Sequence, residues 1–206
     1  MDTLLSIAEI QANPRCIAEA IQAASGLSMT FRPLEAQDNQ MLGQYFLSLS
    51  ENTISLYGPH PFDQATADHL CATINYADTI RMIATIPAGG EQEQVIAYFI
   101  LQLSVFEGEI ERYAQAGIAV NSQDDCLIAP SVADAFQSQG LGTPLMRHIF
   151  QVARRLGRKH ILLMGGVYMH NVRAVHYYQK VGFKTVGTFV ASWAKGRPSY
   201  DMYVDL

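Results

Sequence analysis

Apolar positions recur along this chain at two periods, and each change of period marks a new element. Met29 and Phe31 alternate with polar neighbours over Ser28 to Arg32, which predicts a first strand, stopped at Pro33. Met41, Leu42, Tyr45, Phe46 and Leu49 fall at i, i+3, i+4 spacing and predict a helix over Leu34 to Leu49. Asp63 stands where a second helix, Gln64 to Ile74, needs its N-cap. The runs Thr79 to Ile86 and Val95 to Val105 flank Pro87-Ala88-Gly89-Gly90 and predict a hairpin. A short helix is expected over Glu107 to Gln115 and a strand over Cys126 to Val132. Pro130 lies inside that strand and predicts a bulge or a sheet edge, because proline cannot donate to a ladder. Leu141, Leu145, Ile149, Val152 and Leu156 form the core stripe of a longer helix ended by Gly157. His160 to Val167 reads as a strand and Asn171 to Val181 as a short helix closed by Gly182. Phe183 to Val190 and Tyr200 to Leu206 read as a final strand pair.

Residues 1–27 read differently, as a helical appendage. Asn13 precedes Pro14 as an N-cap would, Ile17, Ala20, Ile21 and Ala24 share one helical face, and Gly26 ends the segment. Packing on the domain and a homodimer contact both remain open for it.

Composition narrows the class. The 206 residues are 49% hydrophobic and 16% charged, which suits one ordered domain with a well-filled core. Met1-Asp2-Thr3-Leu4-Leu5 lacks the basic start of a secretory signal. The longest apolar run, Val95 to Leu103, is broken by Gln102 and too short to span a bilayer, so no membrane role is expected. Cys16, Cys71 and Cys126 are isolated and are expected as buried, reduced thiols in a cytoplasmic protein. His148, His160, His170 and His176 show no paired ligand spacing, so no metal is expected.

Charge is unevenly spread. Residues 1–125 hold sixteen acidic and four basic side chains, giving −12; residues 126–206 hold three and ten, giving +7. Such a split suits a polyanionic cofactor on the basic side and a cationic acceptor on the other, or the mutual attraction of the two halves. Overall acidity, without a basic stripe bearing aromatics, disfavours nucleic acid.

The chemistry gathers around Gln137-Ser138-Gln139-Gly140-Leu141-Gly142, between a predicted strand and a predicted helix. A helix start leaves about four N–H groups unpaired and carries partial positive charge. Glycines let an anion approach that backbone closely, which describes a phosphate or pyrophosphate pocket. Gly142 is followed by Thr143-Pro144, where a Walker loop needs Gly-Lys-Ser/Thr. Leu145 stands where a Rossmann fingerprint needs Gly or Ala.

That stretch resembles the acyl-CoA pyrophosphate loop of the GNAT N-acetyltransferase superfamily, Gln/Arg-x-x-Gly-x-Gly/Ala. About thirty residues on, Asn171, Ala174, Tyr178, Lys180, Gly182 and Phe183 match in register a second signature of that family, Asn-x-x-Ala-x-x-x-Tyr-x-Lys-x-Gly-Phe. The resemblance covers residues 28–206. With the element order it implies an α/β (α+β) fold: a mixed, mostly antiparallel sheet of about seven strands, with helices on both faces. It implies acetyl-CoA as cosubstrate, held by Gln137, Ser138, Gln139, Gly140, Leu141, Gly142 and Thr143. Asn171 would cap its helix or bond the pantetheine arm, and the Val132 N–H would polarise the thioester carbonyl.

The implied reaction moves an acetyl group to a primary amine by direct attack. The acceptor, a small molecule or a peptide amine, must lose a proton, and the leaving thiolate must gain one. Tyr178 occupies the family's general-acid position, with Tyr177 expected on the other side of the helix. Many family members carry a glutamate on the strand before the loop, and this strand has none. Asp125, next to Asp124 at its start, is then the local choice for the base, with His60 or an ordered water as alternatives. Asp134 is expected to shape the strand exit. Tyr57 to Phe62 and Glu107 to Ile118 are expected near the acceptor. A non-catalytic acyl-CoA-binding module is the rival reading.

Overall fold

The computed structural model describes residues 4–57, 59–90, 92–191 and 196–206. Among the described residues nine strands form one sheet: β1 (Glu19–Gln22), β2 (Ser28–Pro33), β3 (Thr79–Gly89), β4 (Gln92–Gln102), β5 (Asp125–Val132), β6 (His160–Leu163), β7 (Val167–Tyr168), β8 (Lys184–Val190) and β9 (Pro198–Asp205). The order across the sheet is β1-β2-β3-β4-β5-β6-β9-β7, with β8 pairing β9. Every pairing is antiparallel except β5 with β6.

Helices cover both faces. One carries α1 (Ile7–Ala12), α6 (Gly142–Arg155) and α7 (Val172–Lys180), whose Ile10, Leu145, Ile149 and Tyr178 pack with Met82, Phe99 and Ile128 of the sheet. The other carries α2 (Asn39–Leu47) and α4 (Gln64–Ala72), whose Leu42, Phe46 and Leu70 meet Ile83, Tyr98 and Ile100. The short α3 (Glu51–Ser55) follows α2. On that face too, farther along the sheet, Tyr113 of α5 (Glu107–Gln115) packs with Leu127 and Leu162. The alternation of β5 explains the division: Ile128 belongs to one layer, Leu127 and Ala129 to the opposite side.

The N-terminal segment corrects the sequence reading. The helix expected from Asn13 to Gly26 is instead a single 3-10 turn, Pro14–Ile17, followed by β1. Ala20 and Ile21 pair with Thr30 and Met29, so the first strand of the sheet comes from inside the expected appendage. Leu5, Ile10 and Ile17 are buried in the main core, and the Leu5 N–H donates to the Arg155 carbonyl at 2.8 Å. The i, i+3, i+4 pattern was real, but an unpaired β2 edge offers ladder bonds that outweigh even the good helix formers of Ala18 to Ala24, whose propensity is a small bias per residue. Cys16 is exposed, unlike Cys71 and Cys126, against the expectation of three buried thiols.

The strand expected over His160 to Val167 is also two pieces. Gly165 and Gly166, with φ of 66° and 69°, turn the chain between β6 and β7. A Cβ on Gly166 would lie 2.6 Å from the Tyr200 carbonyl oxygen, so only glycine fits there. This turn is what opens the sheet.

Candidate active site

β5 keeps its register with β4 as far as Val132, which pairs with Ala97. Its pairing with β6 ends at Ile128 and Leu163. Beyond that point β6 has left, and one side of β5 faces a cleft of about 820 Å³. The pairing identifies which groups face it. The Ala133 N–H donates to Ile96 across β4 at 2.9 Å, so in an antiparallel ladder Ser131 and Ala129 also point toward β4. Val132 and Pro130 point the opposite way, into the cleft. Pro130 therefore interrupts no ladder: it lies on an opened edge, in unbroken register, and the bulge anticipated as its alternative is absent.

The glycine-rich loop closes one end. Gln137 donates its side-chain amide to the Val132 carbonyl at 2.9 Å and to Thr53 Oγ1 at 3.2 Å, tying the loop to β5 and α3. Asp134 accepts from the Ser50 N–H and from the hydroxyls of Ser50 and Thr53, so it shapes the strand exit as anticipated. Gln139 donates to the Ala135 carbonyl at 2.6 Å. Ser138 and Gly140 adopt positive φ, 61° and 79°, which turns successive amides to one side. No protein acceptor takes the N–H groups of residues 138–143 among the described residues.

α6 has no side-chain cap at its start. A cap contributes about 1 kcal/mol. Burial of Leu145, Met146, Ile149 and Val152, each at most 1% exposed, contributes about 1.5–3 kcal/mol apiece. Packing therefore holds this helix, and its N-terminal amides are left for an anion. Gly142 is required by its neighbour, because a Cβ there would come within 2.9 Å of the Tyr177 ring. The Tyr177 hydroxyl donates to the Gly142 carbonyl at 2.8 Å. Tyr177 thus locks α7 to the loop instead of turning away.

Asn171 caps α7, its side chain accepting from the Ala174 N–H at 3.2 Å. The capped helix presents Tyr178, which is buried against Phe183 and Tyr177 and lines the cleft. Its hydroxyl has no hydrogen-bond partner among the described residues, and burial pushes its pKa well up. A phenol in that state holds its proton and has nothing to donate it to except a group in the cleft.

The opposite wall comes from the α2–α4 face. The His60 Nδ1–H donates to the Pro61 carbonyl at 2.7 Å, and Nε2 meets the Tyr98 hydroxyl at 3.2 Å. Burial lowers its pKa and keeps it neutral. Tyr57 and His60 both line the cleft and stack among Phe46 and Phe62, so the Tyr57 to Phe62 loop serves cleft and core together. Phe106 and Glu109 bring the α5 region to the rim.

Asp125 is not brought to the site. It is 1% exposed, bonds the His160 ring at 2.7 Å and accepts from the Asn121 N–H at 2.8 Å. It sits at the far end of β5, seven residues from Val132, roughly 23 Å away at strand rise. Asp124 is equally occupied, paired with Lys159 at 2.8 Å. The basic cluster ending α6 thereby stitches β6 to the start of β5. Sequence reasoning missed Arg81, a lone charge in the apolar run Thr79 to Ile86 that lines the cleft. It also missed Gly165-Gly166, a turn signal inside an expected strand.

Residues 60–183, which include the cleft strand, the loop and the capped Tyr178 helix, match the family model described as the acetyltransferase (GNAT) family. The chain belongs to that family, whose class of chemistry is acetyl-CoA-dependent acyl transfer. It is 29% identical over 140 residues to acetyltransferase PA5475 of Pseudomonas aeruginosa, an alignment spanning 64% of this chain and 63% of the relative. Among solved structures, the GNAT domain of S. lividans PAT superposes with a TM-score of 0.71 at 20% identity, covering 94% of this chain and 99% of that one. AAC(6')-Ib in complex with parmomycin and acetyl-CoA gives 0.63 at 20% identity, covering 86% and 93%. Among the described residues no helix is long and apolar enough to cross a membrane, and no group of three His, Cys, Asp or Glu side chains is placed to hold a metal ion.

Proposed function

We propose that this chain moves an acetyl group from acetyl-CoA to a primary amine by direct attack, without a covalent enzyme intermediate. The supporting observation is the pairing of unspent loop amides with an unpartnered phenol across one opened strand edge. The amides of residues 138–143 fit a pyrophosphate, with Gln137 and Gly142 setting the loop's shape. The edge of β5 beyond Ile128 fits an extended amide-bearing arm laid beside it as a strand. The Val132 N–H, turned into the cleft, is the oxyanion donor of this reading. Asn171 holds α7 so that Tyr178 meets the departing sulfur and returns its proton. His60, neutral and on the acceptor wall, is the group to which the attacking amine's proton passes.

The catalytic unit of this reading is residues 28–206, with the first 27 as its structural extension, in a cytoplasmic setting. The acceptor is a small-molecule amine, as for the spermidine N-acetyltransferase chimera whose structure superposes with a TM-score of 0.58. The cleft does not favour a polycation. Arg81, Arg173 and Lys180 line it, against one carboxylate, Glu109, which is paired with Arg112.

The test is thiol release from acetyl-CoA across an amine panel, with Tyr178→Phe beside the wild type. The variant is expected to lower kcat by about 10²-fold or more with the dissociation constant for acetyl-CoA unchanged. Wild-type turnover in the variant would remove Tyr178 as the acid. A chain whose melting temperature rises with acetyl-CoA, yet which turns over no amine, would be a binding module.

A further inference from the structure

We infer that Arg81 anchors an anionic group on the acceptor, so that the amine acetylated here also carries a carboxylate. This rests on the acetyl-transfer reading and adds the acceptor's class to it. Two other arginines set into the fold, Arg32 and Arg112, are paired with acids, whereas half-buried Arg158 donates to the Ser122 and Gln123 carbonyls. Arg32 holds Asp38 at 2.7 Å and Glu93 at 3.4 Å; Arg112 holds Asp201 at 2.9 Å and Glu109 at 3.3 Å. Arg81 is half-buried on β3 and faces the cleft, yet no carboxylate lies within ion-pair distance of it among the described residues.

Its Nε is buried without an acceptor, and the Tyr57 hydroxyl is buried without a partner as well. Both residues line the cleft, and the Arg81 guanidinium lies beside the Tyr98 phenol, which also bonds His60. A buried polar group without a partner is costly to fold, because it forfeits its hydrogen bonds to water. A planar guanidinium fork joined by a phenol matches the two oxygens of a carboxylate. Such a ligand would give the guanidinium the anionic partner that no described carboxylate supplies.

Placement sets the rough size of the acceptor. Arg81 pairs with Ile100, which pairs with Ala129 on β5. Two strand spacings put its backbone roughly 10 Å from β5, and Val132 lies three residues farther along. The amine and the carboxylate are then several bonds apart, or joined by a flexible chain.

The experiment measures melting temperature with coenzyme A present, adding L-alanine, 4-aminobutanoate or 6-aminohexanoate, and for each its carboxamide. An upward shift with at least one acid, absent with its amide and lost in Arg81→Met, is expected. Without ligand, Arg81→Met is expected to melt no lower than wild type, since it removes an unpaired cation. Thiol-release rates with the same pairs should favour the acid, with KM for the amide at least about tenfold higher. Arg81→Lys keeps the charge without the fork and should fall between. Equal behaviour of acids and amides in wild type would overturn the inference. So would a drop in ligand-free melting temperature on Arg81→Met with no acid-dependent shift in wild type, which would mark a structural residue. An acid-specific shift without any thiol release would sink acetyl transfer and leave the anion site. Thiol release indifferent to the carboxylate would do the reverse.

Discussion

At the scale of single residues, the site depends on contacts that tolerate little. Gly142 meets the Tyr177 ring at 2.9 Å from where a Cβ would be, and Tyr177 in turn bonds the Gly142 carbonyl. The two glycines of the loop thus serve different ends. Gly140 supplies a left-handed φ of 79°, and Gly142 supplies space. Gly142→Ala should push the Tyr177 ring off, costing about 1–3 kcal/mol of stability, the range for overpacking. It should also weaken acetyl-CoA binding, because the loop and α7 would lose their shared hydrogen bond. Denaturant unfolding and a binding titration measure the two effects; unchanged values in both would show that Tyr177 yields freely. Tyr178, by contrast, was legible in the sequence through its register with Asn171 and Gly182. Arg81 was not, since a lone arginine in a strand reads the same whether or not an acid waits for it across the fold.

At the scale of elements, each end of the cleft is held by a different device. α6 relies on its buried stripe and leaves its N-terminus uncapped, whereas α7 is short and relies on Asn171. A helix of nine residues is marginal on its own. Asn171→Ala should therefore cost about 1 kcal/mol. For a chain of this size that is a fall in melting temperature of about 2–4 °C. Because α7 carries Tyr178, kcat should fall as well, while adding acetyl-CoA restores part of the lost melting temperature. A calorimetric scan with and without acetyl-CoA checks this; no change in melting temperature would mean that α7 is fixed by Tyr177 and the core alone. The strand expected from His160 to Val167 shows where element-level reading stops. Its apolar residues were read correctly, but Gly165-Gly166 divides it, and the division makes the cleft.

At the scale of the molecule, the sheet joins two unlike layers, and the cleft wall that carries His60 belongs to the more aromatic one. His60 sits there among Phe46, Tyr57, Phe62 and Tyr98, and burial lowers its pKa below the ordinary 6.5. Its protonated form is therefore favoured in the unfolded chain. The stability it contributes is complete above pH 6.5 and declines as pH falls below that value toward its folded pKa. Carboxylates such as Asp63 and Asp134, lowered from 3.8, lose their contribution only in more acidic solution, so the windows separate. The stability of wild type should fall below pH 6.5 more steeply than that of His60→Gln, as read by denaturant midpoints at each pH. Parallel curves would place the histidine in water rather than in the wall. The charge asymmetry of the two halves also takes its meaning at this scale. Most of the acidic first half is spent on caps, surface and ion pairs with Arg15, Arg32 and Arg112, so among the described residues Glu109 alone of its carboxylates lines the cleft.

The sequence by itself determined the sheet-forming segments, the loop, the register of the Tyr178 helix and the family those motifs resemble. These are local properties: periodicity, turn chemistry and the spacing of a few side chains along one stretch. Tertiary structure alone decided that residues 19–22 add a strand instead of a helical turn, because the β2 edge that they satisfy is formed elsewhere. It decided that Asp125 is spent on His160 at the wrong end of β5, since only strand pairing says which residue of β6 lies alongside. It decided, too, that Arg81 faces the cleft with no acid beside it among the described residues. Whether a buried charge is paired depends on residues distant in the chain, and no window of sequence contains them.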